Sequence, residues 1–517
     1  MSTLREPDEH ADEYTRFRAA HDPVERQVDD RTWNDLNVDQ LLCAIDRMHT
    51  TIGRQLLHFR LRCGRNAGSS DRLDRLVSLF ASDQAARRFA EHALATMAPT
   101  TGQAYWRILA PGALPVRAWY VVFPVLTVVA IALLGAAFLW PAAGLALLAV
   151  ILVGTVLRAA TSKAAPTFLS AFGQVAPIMR AGRRLSANAA IHQAADGAEI
   201  AAALETLGSF RRVASWLARE SVPSNEILGA IQETLNLLFM VNGNALYFGG
   251  RALARYASEL SRVSVWVADV DVALNIAALR VDGRSWCVPV RTAAGTPTTV
   301  VRGWHPMLAD PVPNSVTLTP GSGLIVTGSN MSGKSTLLRM IGACVVLGNA
   351  LNRCPAESFT GPDCAVRSCI GRADDLAAGK SYYLAEVEAV LGLLRTAASG
   401  DASILLLDEL FRGTNTIERL AAGEAVLRAM VVSANGAPGP AVVIATHDGE
   451  LVSMLRDTYE PWHFQETIDE SGLSFDYALC PGPATSRNAI ALLEFQGAPH
   501  AVVEAARQRV RQLEARG

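Results

Sequence analysis

A glycine-rich turn between an apolar strand and an apolar helix limits the fold of this chain more than any other feature. Residues 324–336 have the sequence Leu-Ile-Val-Thr-Gly-Ser-Asn-Met-Ser-Gly-Lys-Ser-Thr, which contains the pattern G-x-x-x-x-G-K-[ST] directly after a predicted strand. Glycines at Gly328 and Gly333 allow successive backbone N–H groups to converge on phosphate oxygens, and the next helix presents its positive end to them. The alternative is a glycine turn without a ligand. The predicted ATP-binding loop consists of Gly328, Ser329, Asn330, Met331, Ser332, Gly333, Lys334, Ser335 and Thr336.

Two later apolar strands end in polar residues that suit ATP hydrolysis. Strand 404–408 ends in Asp408 and is followed by Glu409, so we expect Asp408 to hold Mg²⁺ together with Ser335, and Glu409 to activate the attacking water. Strand 441–445 is followed by His447, which is predicted to sense the terminal phosphate that Lys334 also reaches. The alternatives are a strand end that caps the following helix and a purely structural histidine. The order of the motifs favours a catalytic set of Glu409, His447 and Lys334.

Composition narrows the class of protein. At 517 residues the chain exceeds one ordinary core, so two or three domains are expected. A net charge of −2 and a pI near 6.6 show no overall basic excess of the kind typical of dedicated nucleic-acid binders. The eight cysteines have no C-x-x-C spacing, which favours reduced thiols over disulfides or zinc. Residues 1–30 are polar and are predicted to form a disordered tail rather than a signal peptide.

A long uncharged stretch predicts a membrane hairpin. From Ala118 to Leu157 about forty residues contain no charged side chain, enough for two crossings with a turn at Pro141. Arg117 and Arg158 flank the stretch while its turn is uncharged, so both flanks are expected on the cytoplasmic side of the cell membrane. The alternative is a soluble hairpin inside a large core. Residues 235–248 are also apolar, but their asparagines favour a packed core helix over another span.

Four segments occur in a characteristic order, namely 328–336, 372–376, 379–386 and 408–416. Together they resemble the ATPase of the MutS family, whose members are relatives of ABC-type ATPases and act on DNA. Residues 328–336 resemble the family's G-P-N-M-G-G-K-S-T, with serines in place of a proline and a glycine. Residues 372–376 resemble its A-D-D-L segment and residues 379–386 its S-T-F-x-x-E signature. Residues 408–416 match its D-E-x-x-R-G-T-x-T. The resemblance extends to the helices at 33–61 and 271–280, which are similar to the family's helical lever.

The resemblance implies further properties. In the related ATPases the signature serine points at the nucleotide of the opposite subunit, so Ser381 would complete an ATP site in trans within a head-to-tail homodimer; capping of the next helix is its simpler role. Residues 486–493 and 497–513 resemble the family's C-terminal helix-turn-helix, which supports dimerisation. The mismatch-recognition domain and DNA clamp of the family are not visible. The family places an aromatic residue that stacks on adenine ahead of the phosphate loop. In this chain that position falls around Pro311 and Val312, neither of which is aromatic.

The predicted fold class is therefore an α/β ABC-type P-loop ATPase domain with a parallel-rich sheet, preceded by an all-α lever domain with a transmembrane helical hairpin. The predicted segments are 1–30, a disordered tail; 31–115, the first part of the lever; 116–160, the two-pass hairpin; 161–287, the returning lever; 288–480, the ATPase domain; and 481–517, its helix-turn-helix.

The predicted function is that of a membrane-anchored MutS-like ATPase that binds and hydrolyses ATP with Mg²⁺. Its predicted partners are a second copy of the chain, DNA of the repair or recombination type, and membrane lipid. One alternative is an ABC-type transport ATPase, although two spans are few and the signature lacks the L-S-G-G-Q of transporters. Another is a non-catalytic membrane tether switched by ATP.

Overall fold

A helical N-terminal region is followed by an α/β region with two mixed sheets. The computed structural model describes residues 11–12, 14–15, 18, 28–64, 67–97, 105–106, 117–161, 172–208, 210, 226–279, 283–329, 332–370, 382–411, 414–433, 438–469, 472–483, 494 and 497–514.

The helical region is built around one long helix of 39 residues, α12 (Val241–Leu279). Side chains cap several of its shorter helices: Asp29 accepts a hydrogen bond from Thr32 N (2.7 Å), and Thr50 Oγ1 accepts one from Gly53 N (3.1 Å). Its described helices are α1 (Asp30–Asp35), α2 (Val38–Ile45), α3 (Thr51–Cys63), α4 (Ala67–Ser82), α5 (Gln84–Ala95), a 3₁₀ turn (Ala118–Val121), α6 (Val122–Ala136), α7 (Pro141–Thr161), α8 (Val175–Ala187), α9 (Ala189–Ala194), α10 (Gly197–Thr206), α11 (Glu226–Phe239) and α12 (Val241–Leu279).

A buried carboxylate joins α12 to the start of α3. Asp271 is fully buried and accepts hydrogen bonds from His49 N (3.0 Å), Thr50 N (2.8 Å) and Thr50 Oγ1 (2.6 Å). One turn later, Asn275 Oδ1 accepts a hydrogen bond from Arg47 N (2.6 Å). The two ends of the predicted lever therefore meet through side chains of α12 that satisfy the backbone before α3.

Replacing Asp271 with alanine is expected to lower the free energy of unfolding by about 2 kcal/mol, because three donors lose their acceptor and the two on Thr50 are buried. Asp271→Asn keeps one acceptor oxygen and is expected to lose less. Thermal unfolding of both variants measures this, with Asp71→Ala at an exposed position of α4 as the control. An unchanged midpoint for Asp271→Ala would show that water replaces the carboxylate.

The described part of the N-terminal segment departs from the predicted disordered tail. Ala11 and Thr15 are buried, and Thr15 Oγ1 lies 2.8 Å from His58 Nδ1 on α3. Tyr14 packs edge-on against Phe59, with the ring centroids 6.4 Å apart. These contacts correct the prediction for the residues concerned. The apolar and hydroxyl side chains that stand among charged residues in this segment pack against α3, and local composition does not reveal such a distant partner.

The two helices of the predicted hairpin, α6 and α7, pack against each other and expose most of their apolar surface. By length and composition alone, three described helical segments can cross a membrane: Ala118–Ala136, Pro141–Thr161 and Lys334–Leu351. In the first two, 17% and 6% of the apolar window is buried, against 78% in the third. The third is therefore a core helix, while most of the surface of the first two has no packing partner among the residues that the structure describes.

The second apolar region, residues 235–248, forms two helices instead of the single packed helix that its composition suggested. α11 ends at Phe239 and α12 begins at Val241, with Met240 between them in the left-handed conformation (φ 50°). Both helices contact α6 and α7.

The α/β region contains a four-stranded sheet of order β1-β5-β2-β3 and a six-stranded sheet of order β10-β9-β4-β8-β7-β6. In the larger sheet, β9, β4, β8, β7 and β6 pair in parallel, and β10 is antiparallel to β9. The described strands are β1 (Val290–Arg291), β2 (Thr298–Gly303), β3 (Asn314–Leu318), β4 (Gly323–Thr327), β5 (Ser358–Gly361), β6 (Ala365–Cys369), β7 (Ser403–Asp408), β8 (Ala441–Ala445), β9 (Tyr459–Asp469) and β10 (Gly472–Pro481).

The helices of this region cover the larger sheet and connect its parallel strands. Strands β4, β7 and β8 are almost fully buried, as the continuous apolar runs in their sequences require. Because they are parallel, their carboxyl ends lie at one edge of the sheet. The described helices are α13 (Lys334–Leu351), α14 (Tyr382–Ser399), α15 (Thr416–Met430), α16 (Gly449–Met454) and α17 (His500–Glu514).

Helix α1 is joined to the α/β region by a buried carboxylate. Asp35 Oδ2 accepts hydrogen bonds from Ser368 Oγ (2.8 Å) and Ile370 N (2.9 Å) at the end of β6. The backbone oxygen of Asp35 accepts one from Arg339 Nε (2.9 Å) on α13. Asp35 thus connects the helical region to both the strand and the helix next to the candidate site.

Candidate functional site

The predicted phosphate loop lies between β4 and α13, at the carboxyl edge of the larger sheet. Gly328 (φ 147°) and Gly333 (φ 103°) have backbone conformations that other residues rarely adopt. A Cβ at Gly328 would lie 2.5 Å from Ser332 Oγ. The backbone between them can therefore curl closely around a ligand only with glycine at these positions.

Lys334 begins α13 and folds back over the loop. Its Nζ donates hydrogen bonds to the backbone oxygens of Gly328 and Ser329, both at 2.6 Å, and the residue is 5% exposed. The ammonium group is thus held above the space that the loop encloses. Asn330 and Met331 lie outside the described residues.

A serine and an aspartate meet beside the loop. Ser335 Oγ donates a hydrogen bond to Asp408 Oδ2 at 2.5 Å, which joins the first turn of α13 to the end of β7. A hydroxyl and a carboxylate are hard oxygen ligands that suit Mg²⁺, and a site of this kind needs only one or two protein ligands beside phosphate oxygens and water. The described residues contain no cluster of three or more His, Cys, Asp or Glu that could hold a metal alone. The pair Ser335 and Asp408 therefore fits Mg²⁺ bound with a nucleotide.

Glu409 and His447 form the next layer of the site. His447 Nδ1 lies 2.9 Å from Glu409 Oε1, and the imidazole is half exposed while Glu409 is buried. Glu409 has a positive φ of 50°, although its N–H still donates to Ala445 O (2.8 Å) of β8. A glutamate in this sparsely populated conformation costs folding free energy, and such strain is concentrated at functional sites. The sequence predicted both residues but not their contact.

Glu386, buried on α14, connects the loop after β7 to the signature segment. Its Oε1 accepts a hydrogen bond from Phe411 N at 2.5 Å, and Phe411 also has a positive φ (56°). The predicted site residue Ser381 lies outside the described residues, as do residues 371–380 and 412–413. The contact brings α14 close to the strained turn at Glu409.

A cavity of about 430 Å³ opens beside the phosphate loop. Burial, with a smaller effect of the Arg339 guanidinium, lowers the pKa of His305 to about 4, so this wall residue is neutral at physiological pH. The lining residues come from a loop, a helix and two strands: Trp304, His305, Pro311 and Val312 after β2; Lys334, Ser335, Thr336 and Met340 of α13; Phe464 of β9; and Tyr477 of β10.

Tyr477 is a site residue that the sequence analysis missed. Its ring lies over the phosphate loop, since a Cβ at Gly333 would be 3.3 Å from Tyr477 Cδ1. Asn314 holds it there by donating to Tyr477 O (3.0 Å) and accepting from Leu479 N (2.8 Å). The aromatic side chains of Phe475 and Tyr477 in β10 were the available signal, but which residue faces the loop depends on the bulge in the β9–β10 pairing.

Comparison with known proteins decides the family of this region. The family model described as "MutS domain V" matches residues 324–514. Residues 324–514 belong to the MutS family. MutS domain V is a P-loop ATPase domain, and its match begins in β4 and includes Lys334, Asp408 and His447.

Named relatives support the same assignment. The chain is 32% identical over 266 residues to "DNA mismatch repair protein MutS 2" of Halobacterium salinarum, which covers 50% of this chain and 30% of the relative. It is 28% identical over 273 residues to "DNA mismatch repair protein MutS" of Lactobacillus helveticus and to that of Lactobacillus acidophilus, covering 51% of this chain and 31% of each relative. The chain thus spans about a third of the length of the curated relatives it matches.

Proposed function

We propose that this protein is a membrane-anchored MutS-type ATPase, which binds ATP and Mg²⁺ at the phosphate loop and hydrolyses ATP. The observation that carries the proposal is the convergence of Lys334, Ser335 with Asp408, and Glu409 with His447 at one edge of the larger sheet. The adjoining cavity is of a size typical of small-molecule sites.

The residues have distinct roles in this proposal. Lys334 leaves the loop carbonyls to bind the terminal phosphates of ATP. Ser335 and Asp408 would hold Mg²⁺, which would supply positive charge beside the phosphates. Glu409 accepts a proton from the attacking water, and His447 orients its carboxylate and contacts the terminal phosphate. The strained turn at Glu409 keeps the carboxylate at a fixed position, so little reorganisation is needed when the phosphate arrives.

We further propose that two ATPase regions form a homodimer around ATP, with Ser381 acting in trans. The motif order supports this, as does Glu386, which joins the signature helix to the turn after Glu409. Closure of the dimer is expected to move β6 and α13, and Asp35 links both to the helical region. The hairpin α6–α7 would anchor that region in the cell membrane, with the ATPase region in the cytoplasm.

DNA is proposed as a partner because the matched relatives are named as DNA mismatch repair proteins. The experiment that tests the whole proposal is the rate of phosphate release by the full chain in lipid nanodiscs, with and without duplex or branched DNA. Mg²⁺-dependent hydrolysis that DNA changes at low salt is expected, and the DNA effect should weaken as salt rises. Absence of hydrolysis would favour the ATP-switched tether, and hydrolysis unaffected by any DNA would remove DNA from the proposal.

Tyr477 is expected to stack on the adenine, in place of the aromatic that the family has near Pro311. Stacking on an aromatic side chain contributes about 1–3 kcal/mol per base, so Tyr477→Leu should raise the KM for ATP by about tenfold. Tyr477→Phe keeps the ring and should leave the KM unchanged. Steady-state kinetics measure both variants, and a KM that is equal in the two would exclude stacking.

A further inference from the structure

In the segment around Met240, two asparagines are buried while several large apolar side chains are exposed. Asn236 and Asn244 are only 6% and 8% exposed. Four large apolar side chains near them are instead exposed to between 39% and 52%. A helix in contact with water normally shows the reverse arrangement. The exposed set is Ile231, Leu235, Leu237 and Phe248.

Side chains satisfy the backbone where the helix breaks. Between α11 and α12, Asn236 Oδ1 accepts a hydrogen bond from Asn242 N (3.0 Å), a donor freed by the break. Met240 N donates to Asn236 O (3.0 Å) in the last turn of α11. At the surface of a soluble protein water would serve this purpose, whereas inside a bilayer an open backbone group costs several kcal/mol. The asparagine thus makes the break compatible with a surrounding without water.

The break is also bonded to the hairpin. Phe239 O accepts hydrogen bonds from Asn244 Nδ2 (2.8 Å) and from Thr127 Oγ1 of α6 (2.7 Å). Asn244 Nδ2 donates a further bond to Thr127 Oγ1 (2.8 Å). This small polar network lies between helices, as is typical of polar side chains in membrane bundles.

Glycines bring the two parts into close contact. A Cβ at Gly243 would lie 2.3 Å from Phe123 Cδ1 of α6, and one at Gly154 of α7 would lie 2.7 Å from Met240 Cε. Small residues at such positions let membrane helices approach closely. Gly154 is one turn before Arg158, so the break lies slightly inside the cytoplasmic flank of the hairpin.

An ion pair agrees with this position of the helix break near the cytoplasmic flank of the hairpin. Glu233, which is exposed on α11, pairs with Arg158 Nη1 at 2.7 Å. The pair lies at the flank where we place the headgroups, whereas the exposed apolar residues lie on the two helices that contact α6 and α7.

We propose that residues 230–248 are a third membrane-embedded element, a broken helix in the cytoplasmic leaflet whose exposed apolar face is covered by lipid acyl chains. The inference rests on the proposed membrane hairpin and extends it. The 39-residue helix α12, about 60 Å long, then begins in the bilayer and ends beside the α/β region. One continuous rod would connect lipid to the ATPase region, with Asp271 and Asn275 fixing its far end.

The test uses the full chain in nanodiscs of phosphatidylethanolamine and phosphatidylglycerol. A photoreactive diazirine probe that partitions into the acyl region is activated, and labelled residues are identified by mass spectrometry. We expect labels on residues 231–248 as well as on the hairpin. A labelled hairpin with an unlabelled 231–248 would overturn this inference and leave the anchor intact. Absence of label from both would overturn the anchor as well.

A second measurement compares two phenylalanines of the unaltered protein. Phe248 and Phe89 on α5 are 50% and 41% exposed, so hydroxyl radicals in water should oxidise them similarly if both face solvent. In nanodiscs we expect oxidation of Phe89 and loss of oxidation at Phe248. Equal oxidation of the two would contradict burial of Phe248 in lipid.

Discussion

Replacing Glu409 with glutamine is expected to leave ATP bound and to slow its hydrolysis by about 10²- to 10⁴-fold, the usual contribution of a general base. The amide keeps the shape of the side chain but cannot accept a proton from water, while Lys334 and the loop glycines, which we propose bind phosphate, are unchanged. Single-turnover phosphate release, with ATP binding measured in parallel, tests the prediction.

The control is Glu450→Gln, which removes an exposed carboxylate from the same region. It is expected to hydrolyse ATP at the rate of the unaltered protein. If Glu409→Gln also retains that rate, the base is another group and the contact with His447 has only a structural role.

The second large effect is expected from Lys334→Ala, which should weaken ATP binding by about 100-fold. Two charge-assisted hydrogen bonds to phosphate contribute about 1.5 kcal/mol or more each, and the alanine forms neither. Equilibrium binding of a fluorescent ATP analogue measures the loss. Arg395→Met removes a cation from an exposed position on α14 and should bind as the unaltered protein does.

Lys334 also bonds its own loop, so its loss can alter the protein without ATP. The thermal midpoint is therefore measured with and without Mg²⁺ and ATP. The unaltered protein should gain stability when ATP is added, because a ligand that binds only the folded state stabilises it. Lys334→Ala should lose that gain at the same ATP concentration; a retained gain would show that the ammonium group is not needed for binding.

The contacts of Asp35 suggest how ATP affects the helical region. This residue bonds the end of β6 and, through Arg339, the helix that begins with Lys334. Because Asp35 is buried, a shift of α13 or β6 on nucleotide binding would break these bonds unless α1 moved with them. The helical region is thus connected to the phosphate loop by a short path through Asp35 and Arg339.

Much of the site was predictable because its residues are close in sequence or follow buried strands. The phosphate loop was recognised from glycine spacing, and Asp408, Glu409 and His447 from their positions after strands that the structure shows as β7 and β8. Parallel strands bring such ends together whatever their separation in sequence. The positive φ of Glu409 and its 2.9 Å contact with His447 could not be predicted, since both depend on the packing of two strands.

Prediction was poorer where partners lie far apart in the chain. Tyr477 was missed because β10 reaches the loop only through its pairing with β9 and a bulge that changes the register. The described residues of the N-terminal segment were assigned to a tail because their partner, α3, is some forty residues later. The helix break at Met240 was missed because local composition favours a continuous helix there.

The phosphate loop, the polar strand ends and the uncharged hairpin follow from the amino-acid sequence, because each depends on residue types within a short stretch. The folded arrangement was needed to show that Tyr477 lies over the phosphate loop, and that Asp271 joins two helices while Asp35 joins the helical region to the larger sheet. It also showed that Asn236 and Asn244 are buried while Leu235 and Phe248 are exposed. Motifs of this kind depend only on residues that are close in sequence. Burial and direction depend on what distant segments place beside them, and that becomes known only when the chain is folded.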